Sequence, residues 1–169
     1  MVRLYDSLLT GTASNFDLTS ISQAYYHLKL YLYLRSTGAV EGDFALMTFN
    51  GDSGANYNEE TLYGQNTTAS AGKSGGASRL APIWSSAGGS TNAANFAGGV
   101  FDIPHYTGAN RKMIYGVCGS WDDAGSPAYG TVASYMGQWA STSAITQITL
   151  TPFTGSFAAG SRVTLYGIA

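Results

Sequence analysis

Residues Tyr26–Arg35 read Y-H-L-K-L-Y-L-Y-L-R, and this run constrains the fold more than any other in the chain. Leu28, Leu30, Leu32 and Leu34 share one parity; His27, Lys29, Tyr31, Tyr33 and Arg35 share the other. Successive side chains of a strand point to opposite faces, so strict period-two alternation describes a strand with one face on a core. A helix would scatter the leucines around its circumference. The second face is aromatic as well as charged, which suits contact with a partner better than bare water.

Other segments repeat the pattern at short spacing. Phe44–Phe49 is a strand ending at the turn cluster N-G-D-S-G, residues 50–54. Tyr129–Trp139 alternates, with Tyr129, Thr131, Ala133, Tyr135, Gly137 and Trp139 on one side. Ile145–Thr151 and Arg162–Ile168 read as a closing hairpin across Pro152–Gly160. Leu4–Tyr5, Phe16–Leu18, Thr61–Tyr63, Arg79–Trp84, Gly99–Ile103 and Arg111–Val117 are weaker strands. The total of about ten short strands predicts an all-β, antiparallel two-sheet β-sandwich of the jelly-roll type. Only Thr91–Ala97 has the alanines for a turn of helix, and its Asn and Gly neighbours oppose one. Asn66–Ser78 and Ser85–Ser90, rich in Gly, Ser, Thr and Ala, read as exposed loops. Neither is long enough to link domains, so residues 1–169 form a single domain, with 1–14 as an N-terminal arm able to reach a neighbour.

Charge narrows the function classes. Lys and Arg number 8 and Asp and Glu 10 in 169 residues, a net charge of −2. The charged share of 11% is less than half the roughly 25% usual for soluble domains. No basic run offers the phosphate-neutralising patch a nucleic acid needs. Cys118 is the single cysteine, so no internal disulfide forms and the fold must hold in a reducing cytosol. The first residues do not read as a secretory signal, and no apolar run approaches the roughly 18 residues of a membrane span. The expectation is neither a membrane nor a nucleic-acid partner.

Four motifs bear on chemistry. Gly116-Val117-Cys118-Gly119 has the G-x-C-G form of a viral cysteine-protease nucleophile, with His27 or His105 as base; a small, weakly polar residue closing an apolar strand explains Cys118 equally. Asp52, Asn56 and Asn58, with Glu59 and Glu60, are oxygen ligands for Ca²⁺, which takes about six to eight. Their spacing is not that of an EF-hand loop, and Asx residues make the same turn without metal. Asp122 and Asp123 beside Trp121 are paired acids of the kind a glycosidase uses, but adjacent acids point apart and no second pair completes a site. Asn66-Thr67-Thr68 is a formal glycosylation sequon, read as coincidence. No catalytic residue and no cofactor are expected. The better material is for binding: Tyr31 and Tyr33 on a strand, and Tyr57, Tyr63, Trp84 and Trp121 in loops, stack on sugars or bury in a neighbouring protein. The alternative for each is that it completes the core.

Two stretches carry a family resemblance. One is Y-H-L-K-L-Y-L-Y-L-R-S, residues 26–36, followed by F-N-G-D-S-G-A-N-Y-N-E-E-T-L-Y-G, residues 49–64. The other is the terminal S-A-I-T-Q-I-T-L-T-P-F-T-G-S-F-A-A-G-S-R-V-T-L-Y-G-I, residues 143–168. Together they cover roughly half of the chain and resemble small jelly-roll-like virion proteins of tailed bacteriophages; residues 67–101 resemble nothing named. The resemblance implies a non-enzymatic virion protein, folded in the host bacterial cytoplasm before assembly. Its partners would be the major capsid protein or tail proteins, and analogy with capsid symmetry implies a homotrimer. Without heptads or a repetitive shaft, and with its first strand close to Met1, the chain is better matched to a capsid decoration or cement protein. The alternative is a tail-fibre or receptor-binding module, or a carbohydrate-binding module, recognising a host glycan.

Overall fold

The computed structural model describes residues 1–82, 86–90, 92–122 and 129–169, the side chains of Asp122 and Tyr129 excepted. The described residues contain strands and no helix. In chain order these are β1 (Val2–Leu8), β2 (Phe16–Leu18), β3 (His27–Leu34), β4 (Gly42–Asp43), β5 (Ala45–Phe49), β6 (Tyr57–Gln65) and β7 (Thr68–Ala77). There follow β8 (Ser86–Ala87), β9 (Ala97–Pro104), β10 (Lys112–Asp122), β11 (Tyr129–Trp139), β12 (Ile148–Pro152) and β13 (Arg162–Ile168). Eight of them form an antiparallel sheet in the order β1-β13-β3-β9-β10-β11-β6-β7. A three-stranded sheet, β2-β12-β5, lies against it, and β4 and β8 form a two-stranded sheet.

The leucines of β3 behave as their spacing predicts. Leu28, Leu30, Leu32 and Leu34 are buried, while Tyr31 and Tyr33 are exposed. Leu30 faces Phe101 across β9 and Leu165 across β13, so the row of apolar side chains continues through neighbouring strands. From the small sheet Phe16, Leu18, Met47, Phe49, Ile148 and Leu150 join the same core cluster. One continuous core between two sheets is the packing of a β-sandwich. Strand β11 alternates as read, with Thr131, Ala133, Tyr135 and Trp139 buried between exposed Val132, Ser134 and Met136.

The terminal hairpin is not formed. Strand β12 pairs with β2 and β5 in the small sheet, and β13 with β1 and β3 in the large one. The connection crosses between sheets, anchored by Phe157: fully buried, it packs on Phe16 with ring centroids 5.1 Å apart. The Phe157 backbone also exchanges hydrogen bonds with Ala13, at 2.8 and 3.0 Å. Alternation records which face of a strand is apolar but not which strand lies beside it.

The second departure is β7, inside the segment expected to be a loop. It pairs with β6 from Gln65↔Thr68 to Tyr57↔Ala77. Asn66 turns the chain at φ +53°, a left-handed conformation that asparagine tolerates. The strand sits at the sheet edge with nearly every residue exposed on both faces, so it had no apolar period to display. Conversely, Arg79–Trp84 is not a strand over its described part: Leu80 makes one isolated bridge to Met47. Ser86 and Ala87, expected in a loop, form β8, and Ala97 opens β9 rather than closing a helical turn. Of the expected arm, Val2–Leu8 is β1 and is hydrogen-bonded along β13 of its own chain.

Candidate functional site

The outer face of the eight-stranded sheet gathers most of the large exposed side chains, in two regions. The first lies on β6, β10 and β11. Tyr115 faces Met136, Val117 faces Ser134, and Ser134 faces Leu62 on the next strand. Gly119 faces Val132 one row further on. The result is a patch in which Leu62 is 64%, Val132 63% and Val117 57% exposed, with Tyr115 and Met136 about half exposed. Trp121 extends it: at 61% exposure its ring lies over Gly130, the residue opposite, where a Cβ would come within 2.4 Å of the indole. A side chain at position 130 would have to displace the indole from this position.

The second region lies on β1, β13 and β3 and is aromatic and ionic. Tyr31 meets Tyr166 edge to face, with centroids 5.8 Å apart. Tyr33 stacks on Phe96 at 4.6 Å and 8° between planes. Arg162, opposite Tyr33, donates to Asp6 through Nε at 2.8 Å and Nη2 at 2.7 Å, a bidentate pair. Asp6 also accepts from Thr164 Oγ1 and from Arg3. The hydrogen bond from Arg162 dominates in lowering the Asp6 pKa to about 2, so the carboxylate stays ionised. Between the rings lies an open cleft of about 430 Å³. The two regions meet at Lys29 and Asp102, cross-strand partners joined at 3.1 Å. That hydrogen bond raises the Lys29 pKa.

The expected aromatic set therefore divides. Tyr31, Tyr33 and Trp121 are on the outer face. Tyr63 is half-buried against the core. Tyr57, expected in a loop and able to bind a partner or to complete the core, opens β6 and is fully buried, stacked near Trp139 with its hydroxyl donating to the Asp52 carbonyl at 3.0 Å. Burial raises its pKa to about 12. Its neighbours Asn56, Asn58 and Glu59 are polar, so the local sequence hid the role. Trp84 lies outside the described residues.

The oxygen-rich turn is occupied by its own chain. Asp52 accepts from Trp139 Nε1 at 2.7 Å, from the Gly54 N–H at 2.8 Å and from Asn56 Nδ2 at 2.9 Å. These bonds, that from Trp139 foremost, lower its pKa. Asn58 points elsewhere: its Nδ2 donates to Gln138 and its Oδ1 accepts from the Gly76 N–H. The three candidate ligands thus do not converge. Among the described residues no group of three His, Cys, Asp or Glu side chains is placed to hold a metal.

Nor do Cys118 and the histidines meet. Cys118 is buried on the inner face and burial raises its thiol pKa to about 12, leaving it protonated. His27 belongs to the outer parity of β3, opposite Pro104, whereas Cys118 is opposite Gly99, five residues along β9. At about 3.4 Å per residue that is roughly 17 Å. His27 pairs with His105 instead, accepting from its backbone N–H at 3.2 Å. Asn66 of the sequon accepts from the Gly130 N–H through Oδ1. Asp123 and the Asp122 side chain fall outside the described residues.

No protein-family model, no curated protein and no solved structure matches this chain.

Proposed function

We propose that the chain is a non-enzymatic structural protein of a bacteriophage virion, a decoration protein whose sandwich, of jelly-roll type, binds neighbouring capsid subunits through its outer sheet face. The observation that carries this reading is the exposed apolar patch on β6, β10 and β11. Contiguous exposed apolar surface rimmed by polar residues is characteristic of interaction sites, and here it sits on a regular sheet rather than a mobile loop. A low-charge, disulfide-free chain suits close repeated contacts in a symmetric assembly, and a homotrimer is part of the proposal. The chain passes repeatedly between the two sheets, from β1 to β2, β2 to β3 and β12 to β13, which supports a jelly-roll-like winding. The resemblance of residues 26–36, 49–64 and 143–168 to phage virion proteins points the same way.

Cryo-electron microscopy of the particle that carries this chain tests the proposal. Copies on the capsid lattice, with β10 and β11 turned toward a neighbouring subunit, are expected. Density confined to the tail tip would replace decoration by receptor binding, and absence from purified particles would overturn the virion reading. Sedimentation of the isolated chain tests the trimer.

A further inference from the structure

We propose that the cleft over β3 and β13 is a saccharide-binding site, in which a pyranose ring lies against Tyr33 with its hydroxyls on Arg162 and Thr164. This site is separate from the apolar patch and does not depend on where in a particle the chain resides.

The argument begins with Tyr33. One face of its ring is covered by Phe96, and Phe96 rests on Gly160, where a Cβ would come within 3.0 Å of it. The tyrosine is therefore held in one orientation, yet remains 50% exposed. Two positions along the strand Tyr31 stands on the same face, packed edge to face with Tyr166. Side chains two apart on a strand are separated by about 6.8 Å, enough for a ring to enter between them. Sugars present C–H groups on one face and hydroxyls around the edge, and rigid tyrosines supply contact area at small entropic cost.

Polar groups border the same cleft. Asp6 uses two of the five Arg162 N–H groups and fixes the guanidinium plane. Nη1 and the second Nη2 hydrogen are left to donate, and the Thr164 hydroxyl retains an acceptor lone pair while bonding Asp6. These groups converge with aromatic walls on a cleft of about 430 Å³, within the roughly 300–1,000 Å³ of small-molecule sites. Of the charged side chains described, Arg162 lines the cleft, and a guanidinium with N–H groups to donate suits a carboxylate, so uronate-containing saccharides are expected to exceed neutral ones in affinity. An apolar peptide is the poorer occupant, because it would bury the Arg162–Asp6 pair without hydrogen-bonding it.

The test is binding of the full chain to an array of neutral and uronate-containing oligosaccharides, followed by calorimetric titration with the tightest. Saturable binding is expected, weakened about tenfold or more by Tyr33→Ala and by Arg162→Lys, which keeps the charge but loses the fork. Tyr33 is a surface residue, and circular dichroism of each variant checks that it folds. The control Val117→Thr, in the other region, should bind as wild type. No binding across the array at millimolar concentration would overturn the proposal. So would binding that survives both variants but is lost in Trp121→Ala, since the sugar would then sit on the other region.

Discussion

Strands β10 and β11 present two faces made from similar residues with opposite fates. Inward, Ile114, Cys118, Ala133, Tyr135 and Trp139 are buried; outward, Tyr115, Val117, Val132 and Met136 are open. Both sets are apolar, so hydropathy alone does not distinguish them. The inner set meets the small sheet and has its polar atoms bonded: Tyr135 donates to Glu59 at 2.6 Å and Trp139 to Asp52 at 2.7 Å. The outer set stays about half or more exposed, its members meeting one another along the face. On the proposed reading, this second face is the one completed by a neighbouring subunit.

The largest expected effect comes from emptying the inner face. Phe101 is fully buried and packs edge-on against Tyr135 at 6.0 Å. Phe101→Ala should lower stability by about 3–5 kcal/mol, measured by urea denaturation. A loss below about 1 kcal/mol would mean that the two faces do not differ as described.

Smaller, and dependent on pH, is the loss at the turn that fastens the inner face of β11. Asp52→Asn weakens hydrogen bonds to a charged acceptor and should cost about 1.5–3 kcal/mol at neutral pH. The wild-type Asp52 pKa lies below the 3.8 of an ordinary aspartate, so its contribution is present above that value. It is lost as pH falls through the lower, folded-state value. The gap between wild type and variant should therefore close in acid, which thermal unfolding between neutral pH and pH 2 would follow. A gap that stays constant would assign the effect to packing rather than to ionisation.

The smallest effect on stability belongs to the outer face. Val117→Thr combined with Val132→Thr keeps β-branched residues in both strands and should change stability by no more than about 0.5 kcal/mol. Binding to capsids, measured by co-sedimentation, should nonetheless be lost. A destabilisation of about 2 kcal/mol instead would show that this face already packs within its own fold.

Much of the large sheet was legible in the residues because its central strands alternate. The parity of β3 and β11 separates buried from exposed side chains as the structure does, except that Arg35, of the outer parity, is buried with its guanidinium on the Asn92, Asn95 and Gly89 carbonyls; N-G-D-S-G marked a real turn. Legibility failed where the deciding contact was remote. Tyr57 sits among polar residues in sequence, and Trp139 and Phe49, from other strands, contribute to its apolar surroundings. Strand β7 is held by backbone bonds to β6 and needs no side-chain pattern at all. The outer-face patch was half visible: Tyr31, Tyr33 and Trp121 were candidates, whereas Leu62, Val132 and Met136 became a surface only when β6, β10 and β11 lay side by side. Arg162 and Asp6 are 156 residues apart, and nothing local announces their bond.

What this sequence determined by itself is an all-β chain with strands whose faces are specified residue by residue, because a strand's period of two is local and each side chain's preference is its own. The tertiary structure decided which strands are neighbours, sending β12 and β13 to different sheets. It also decided which apolar face remains open. Both depend on long-range closure, in which Phe157 enters the core and β13 is taken up between β1 and β3, so that two faces alike in composition end as an interior and an exposed surface.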